Sequence, residues 1–228
     1  MPRWGMVIDL DKCFACQSCT VACRMENNTP VAGPDQTARG RAILWNEVLP
    51  FIEGEYPKVH VQLIPRPCQM CDNPPCIHVC PVKATYKTDE GIILVDYKRC
   101  IGCRFCAVAC PYQVRYFNWY VPEWPAALKA HLNPDPEVQP RPRGVIEKCT
   151  FCIQRLRKAR EKAEAEGRPF TATDYVPACV QTCTGHARYF GDLDDPNSLV
   201  HQLAHSPRAF RLLEEMGTQP KVYYLKQG

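Results

Sequence analysis

Two apolar-rich stretches, 43–49 (ILWNEVL) and 58–64 (KVHVQLI), flank the turn-forming Glu53, Gly54, Glu55, Tyr56 and Pro57 and predict a β-hairpin. Residues 153–163 (IQRLRKAREKA) space their apolar positions as a helix does and run on to a stop at Gly167. The outward face of that helix carries Arg155, Arg157, Lys158, Arg160 and Lys162, as a solvated amphipathic helix or a docking helix would. Ser206-Pro207 reads as a cap and first-turn proline, predicting a last helix that Gly217 ends. Residues 119–144 hold Trp119, Trp124 and six prolines and predict an irregular wrapping loop. No stretch approaches the 18 or so consecutive apolar residues of a membrane span.

A shorter pattern occurs twice. Residues 7–23 read VIDLDKCFACQSCTVAC and residues 94–110 read LVDYKRCIGCRFCAVAC. Each has an apolar pair suited to a strand, an Asp, two residues, a base, and a cysteine run that ends Val-Ala-Cys. Such self-similarity argues for duplicated units.

Composition sharpens this. The chain has 228 residues with 16 cysteines, several times the usual share, and 22 prolines. The formal charge of +4 and 23% charged residues suggest neither disorder nor nucleic-acid binding. The start, MPRWGMVIDLDKC, has no apolar core after a charged beginning and no twin arginine, so no signal peptide of its own is expected.

The cysteines fall into four groups of four with none left over. Cys13, Cys16, Cys19 and Cys23 are spaced C-x2-C-x2-C-x3-C, and Cys68, Cys71, Cys76 and Cys80 C-x2-C-x4-C-x3-C. Cys100, Cys103, Cys106 and Cys110 precede Pro111, giving C-x2-C-x2-C-x3-C-P. The fourth group is Cys149 and Cys152, then Cys179 and Cys183. Disulfides, zinc and iron–sulfur clusters all use cysteine, and spacing discriminates among them. The third group matches the run of bacterial two-cluster ferredoxins, in which three thiolates wrap one Fe4S4 cube and the fourth reaches the neighbouring cube. Zinc prefers two well-separated C-x2-C pairs, and disulfides an oxidising exterior.

Adjacent runs that exchange fourth ligands predict the pairing. The second and third groups, both ending Cys-Pro, form one unit, with Cys68, Cys71, Cys76 and Cys110 on one cube and Cys80, Cys100, Cys103 and Cys106 on the other. The first and last groups form a second, with Cys13, Cys16, Cys19 and Cys183 on one cube and Cys23, Cys149, Cys152 and Cys179 on the other. The expected fold is α+β. It has two interleaved two-cluster ferredoxin-like units (1–30 with 145–195, and 65–118), a β-hairpin insertion (31–64), the Pro/Trp-rich loop (119–144) and a C-terminal helical tail (196–228).

The four-group order resembles the iron–sulfur subunit of the dimethyl sulfoxide reductase superfamily of molybdopterin oxidoreductases, over essentially the whole chain. Trp4 to Asp9 and Phe190 to Pro196 carry the likeness outside the cysteines, and Cys183-Thr184-Gly185-His186-Ala187 resembles the polysulfide, thiosulfate, tetrathionate and arsenate branches. The resemblance implies four 4Fe–4S clusters relaying electrons between a molybdopterin catalytic subunit and an integral membrane quinone- or haem-reactive subunit, in anaerobic respiration on a sulfur oxyanion, polysulfide or similar substrate. It implies a peripheral place on the cytoplasmic membrane, with the outer face favoured through export alongside a signal-bearing partner. A polyferredoxin carrier, or a subunit of a formate- or hydrogenase-linked complex, is the alternative. No catalysis by the chain alone is expected: every thiol is committed, no G-x-G-x-x-G follows a strand, and no nucleophile–base pair stands out. Lys12, Arg66, Arg99 and Lys148 precede the four groups and are candidates for tuning potential. His78 and His186 lie beside cysteines and are expected not to be ligands.

Overall fold

A computed structural model describes residues 2–227. Strand β1 (Trp4–Asp9) is buried along its whole length. It leads into the first cysteine run, whose second half forms helix α1 (Ser18–Glu26). After α2 (Pro34–Ala38), strands β2 (Asn46–Glu55) and β3 (Lys58–Pro67) make the hairpin. Its strands are longer than the pattern suggests because pairing continues from Asn46↔Pro67 to Glu55↔Lys58, leaving Tyr56-Pro57 as the turn. Gly54 is required there: φ is +85°, and a Cβ would lie 2.2 Å from the Lys58 carbonyl oxygen.

The second and third runs are carried by short elements, α3 (Pro75–His78), β4 (Thr85–Lys87), β5 (Ile93–Val95), α4 (Phe105–Val108) and β6 (Tyr116–Phe117). Residues 119–144 are irregular apart from α5 (Ala126–Lys129) and a single 3-10 turn. This segment is tied down by buried polar groups. Asn28 Nδ2 donates to the Asn133 and Val138 carbonyls at 2.8 and 3.0 Å. Buried Arg141 donates to the Asn27 and Asn28 carbonyls and pairs with fully buried Glu147 at 3.1 Å. Trp119 is half-buried, edge-on to Phe117 with Arg41 and Arg104 over its ring.

The chain then forms β7 (Ile146–Glu147), α6 (Ile153–Ala165), α7 (Ala178–Gln181), β8 (Arg188–Asp192) and α8 (Leu199–Ala204). Beyond α8 the expected helix from Ser206 to Gly217 is absent. Residues 209–210 are strand β9, 214–216 are a 3-10 turn, and β10 (Val222–Leu225) follows. The cap-and-proline signal at Ser206-Pro207 loses to strand pairing, because Val222, Tyr224 and Leu225 bury their side chains by joining the main sheet. The tail is thus one helix and two strands. That sheet has the order β8-β1-β10-β9, with β1 antiparallel to β8 and parallel to β10. The pairs β4–β5 and β6–β7 are small antiparallel ladders.

The basic face of α6 answers acids of its own chain. Arg155 pairs with Glu26, Arg157 with Glu137, Lys158 with Asp135, Arg160 with Glu90 and Lys162 with Glu166. It is an internal strap rather than a free cationic docking face. No helix among the described residues is long and apolar enough to cross a membrane.

One aromatic cluster anchors the main sheet to the fourth cysteine group. Trp4 is fully buried, stacked on Phe190 at 5.4 Å between ring centroids and edge-on to Tyr175 at 5.1 Å. Trp4→Ala should cost about 3–5 kcal/mol, read as a lower urea midpoint in circular dichroism.

Candidate metal centres

The repeated runs fold alike. Ala15 and Gln17 have left-handed φ of 55° and 64°, and their counterparts Gly102 and Arg104 have 68° and 65°. Gly102 cannot be larger, since a Cβ would lie 2.0 Å from the Gly144 carbonyl oxygen. A second motif follows three of the fourth cysteines. Three residues after Cys80, Cys110 and Cys183, the chain turns left-handed at Lys83 (φ 52°), Gln113 (52°) and His186 (47°). The turn aims the next amide back at the sulfur. Ala84 N donates to Cys80 Sγ at 3.2 Å, Ala187 N to Cys183 Sγ at 3.3 Å, and the Val114 amide to Cys110. One residue further come Thr85 and Arg188, which begin the strands β4 and β8, and Arg115, which directly precedes β6.

The structure brings the sixteen thiols together in four sets. Cys13, Cys16, Cys19 and Cys183 line one small cavity. Cys68, Cys71, Cys76 and Cys110 line a second, and Cys80, Cys100, Cys103 and Cys106 a third. Cys23, Cys149, Cys152 and Cys179, all buried, lie within one another's electrostatic reach. Successive sets are neighbours: Cys19 lies within electrostatic reach of Cys179, Cys68 of Cys149, and Cys76 of Cys106.

The donor chemistry suits iron–sulfur cubes. Each set offers four soft thiols, the donors that an Fe4S4 cube takes. Burial pushes the Cys71 and Cys149 thiols up to about 12, and it holds Cys23 well above the usual thiol range with help from Cys149, Cys152 and Cys179. Only a strong local positive charge makes such thiolates stable, as bound iron does. N–H donors already point at the sulfurs: Asn46 Nδ2 lies 3.1 Å from Cys19, Phe151 N 3.4 Å from Cys149, and Asn27 Nδ2 3.8 Å from both Cys23 and Cys152. Arg115 Nη2 reaches Cys76 Sγ at 3.0 Å and Arg188 Nη2 reaches Cys19 Sγ at 3.4 Å. Burial works against the charge of Arg188, but Cys179 and Cys19 outweigh it and its pKa rises. Cys16, by contrast, is exposed, and hydrogen bonds from Ser18 and Thr184 lower it to about 7.

The four bases read as tuning candidates part company. Lys148 is fully buried. Lys12 is exposed and donates to Tyr189 Oη, Arg66 pairs with Glu47, and Arg99 is exposed beside Asp96. The residues overlooked are Arg115 and Arg188. Both sit five places after a cysteine in the shared pattern Cys-x4-Arg-Tyr-Phe, the signal that would have found them. His78 and His186 are exposed. A cleft of about 690 Å³ between Leu94–Arg99 and Pro136–Pro142 is lined by no cysteine.

Comparison with known proteins agrees with this chemistry. A family model for a 4Fe-4S dicluster domain matches residues 59–126. The chain is 48% identical to the iron–sulfur cluster-binding subunit of a menaquinone reductase from Nitratidesulfovibrio vulgaris, over 99% of this chain and 89% of the relative. It is 41% identical to one of the subunits of a selenate reductase from Mesobacillus selenatarsenatis (98% and 72%) and 33% identical to one of the chains of a polysulfide reductase from Wolinella succinogenes (97% and 93%).

Cys23→Ser should remove or convert the cluster of Cys149, Cys152 and Cys179 while sparing that of Cys13, Cys16 and Cys19. Electron paramagnetic resonance (EPR) showing the opposite loss would overturn the exchange of fourth ligands. On exposure to air, the sets with exposed Cys16 and Cys103 should lose signal before the wholly buried set of Cys23.

Proposed function

This protein belongs to the family of iron–sulfur electron-transfer subunits of molybdopterin oxidoreductases, and we propose from that membership that its sixteen thiolates hold four 4Fe–4S clusters in single file. It binds iron–sulfur clusters and is not catalytic on its own. The finer reading rests on one observation above all, the neighbour relation of the four cysteine sets. Cys19 within electrostatic reach of Cys179, Cys149 of Cys68, and Cys76 of Cys106 link the sets in one series. The set of Cys13 ends it on one side and that of Cys103 on the other. When bound, each cube accepts and passes on one electron at a time. The protein's part is to fix the order, keep the two inner sets dry and present the outer two.

The outer sets are presented through apolar collars. Phe14 and Val21 are exposed beside the first run, and Ile101, Phe105 and Val108 beside the third. Buried thiols inside and exposed apolar rims at the ends suit a relay that docks one partner at each end. By the family's organisation the two are a molybdopterin catalytic subunit and an integral membrane quinone- or haem-reactive subunit. The substrate of the complex would be a sulfur oxyanion, polysulfide or similar oxidant, as the likeness to the polysulfide reductase suggests. The chain would sit peripherally on the cytoplasmic membrane, on the outer face. Two interleaved ferredoxin-like units, 1–30 with 145–195 and 65–118, would each hold two of the clusters.

The isolated chain should exchange electrons but turn over no substrate. Within the complex, losing one cluster should cut quinone-linked turnover at least tenfold and leave dye-linked activity of the catalytic partner unchanged. Substrate turnover by the isolated 228-residue chain would sink the relay reading.

A further inference from the structure

We infer that three buried cations, Arg188, Lys148 and Arg115, stand one at each junction between successive cysteine sets, and that each raises the reduction potentials of both clusters it adjoins. The inference rests on the four-cluster reading above. Arg188 is 5% exposed, Lys148 0% and Arg115 6%.

Arg188 lies between the first and second sets. Its Nη2 is 3.4 Å from Cys19 Sγ and the guanidinium also hydrogen-bonds Cys179, while Asn46 Oδ1 fixes it at 2.6 Å. Lys148 lies between the second and third. Its Nζ donates to the Cys149 carbonyl at 2.6 Å and to the Ile93 carbonyl, and stands 3.8 Å from the sulfur of Met70, which lies between Cys68 and Cys71. Arg115 lies between the third and fourth. Its Nη2 is 3.0 Å from Cys76 Sγ, the same guanidinium hydrogen-bonds Cys106, and Nη1 is steadied by Thr85 at 3.2 Å.

What sets these three apart is the missing counter-ion. Among the described residues none of them has a carboxylate at ion-pair distance. The other buried cations do: Arg141 pairs with Glu147 at 3.1 Å and Lys221 with Asp72 at 3.5 Å. A buried cation without an acid is costly unless another anion answers it. For Arg188 and Arg115 the facing anions are cysteine sulfurs of both adjoining sets. Lys148 touches no sulfur of a cysteine, but its charge reaches Cys149 of the second set and Cys76 of the third. Each added electron makes a cube more negative, so a cation close to it favours reduction. Because one cation acts on two sets, it shields an electron on one cube from an electron on the next.

The test uses the full chain carrying its clusters, with potentials from redox titration followed by EPR and assigned through the cysteine variants above. Arg188→Met should lower the potentials of the first and second clusters, Lys148→Met the second and third, and Arg115→Met the third and fourth. Each shift should be at least tenfold in the reduction equilibrium, about 59 mV for one electron. The two remaining clusters should stay within threefold. Arg188→Lys and Arg115→Lys keep the charge while changing the hydrogen bonds, and should hold all four potentials within threefold. A shift confined to one cluster, an equal shift in all four, or no shift overturns the inference. So does a tenfold shift in either Lys variant, which decides the matter even if a Met variant fails to load its clusters. Iron and sulfide counts on the unaltered chain separate the two readings: fewer than four cubes sinks the cluster count, whereas four cubes with unmoved potentials sinks only the role of the cations.

Discussion

The constraint on which this structure depends is the burial of anionic sulfur. A cube with four thiolates carries about −2 in its oxidised state, so four would turn a chain of formal charge +4 into one of about −4. Much of that charge lies where water cannot screen it. Nine of the sixteen cysteines are buried. The fold answers with N–H groups aimed at sulfur and with buried cations that, among the described residues, have no carboxylate partner. Little regular secondary structure is needed for this. The sheets beyond the main one have only two strands each, and most helices beside the cysteines are a single turn.

A local rule supplies much of the solution. After Cys80, Cys110 and Cys183 the chain turns left-handed at the third residue, returns the next amide to the sulfur, and enters a strand at or directly after the fifth. The side chain at that fifth place differs by site. At Cys80 it is Thr85, which steadies Arg115; after Cys110 and Cys183 it is the arginine itself. One backbone device therefore holds a thiolate, starts the strand that closes the unit, and delivers a charge. The pairs β4–β5 and β8–β1 are each made from a strand after a fourth cysteine and a strand before another run.

Much of this was legible in the chain. The spacing of Cys100, Cys103, Cys106 and Cys110 carries its chemistry in its own geometry, and the repeat of residues 7–23 at 94–110 shows the duplication. The exchange of fourth cysteines between runs is likewise an expectation of the spacing, and the cluster assignment we propose is built on it. Other features were hidden because they depend on partners far along the chain. Lys12 and Lys148 occupy equivalent places before their runs, yet only Lys148 is enclosed, by Met70 and Ile93 from a different unit. The bases of α6 look like a docking face until Glu26, Glu90, Asp135 and Glu137 come into reach from three separate segments. The tail misled for a related reason: a cap and a proline are local signals, whereas pairing of β10 with β1 joins residues at opposite ends of the sequence.

That last pairing has a consequence for the order of events during synthesis. β1 and β10 are the two inner strands of the main sheet, so its first-made strand waits for its last-made one. A nascent chain that has emerged only as far as Cys183 already owns every thiol but still lacks both strands, β8 and β10, that flank β1. The segment from Cys68 to Cys110, by contrast, has both strands of its ladder β4–β5 by then. Closure is accordingly vectorial: the middle of the chain can pair its strands early, whereas the strand that was made first is flanked only once residues 188–225 have followed.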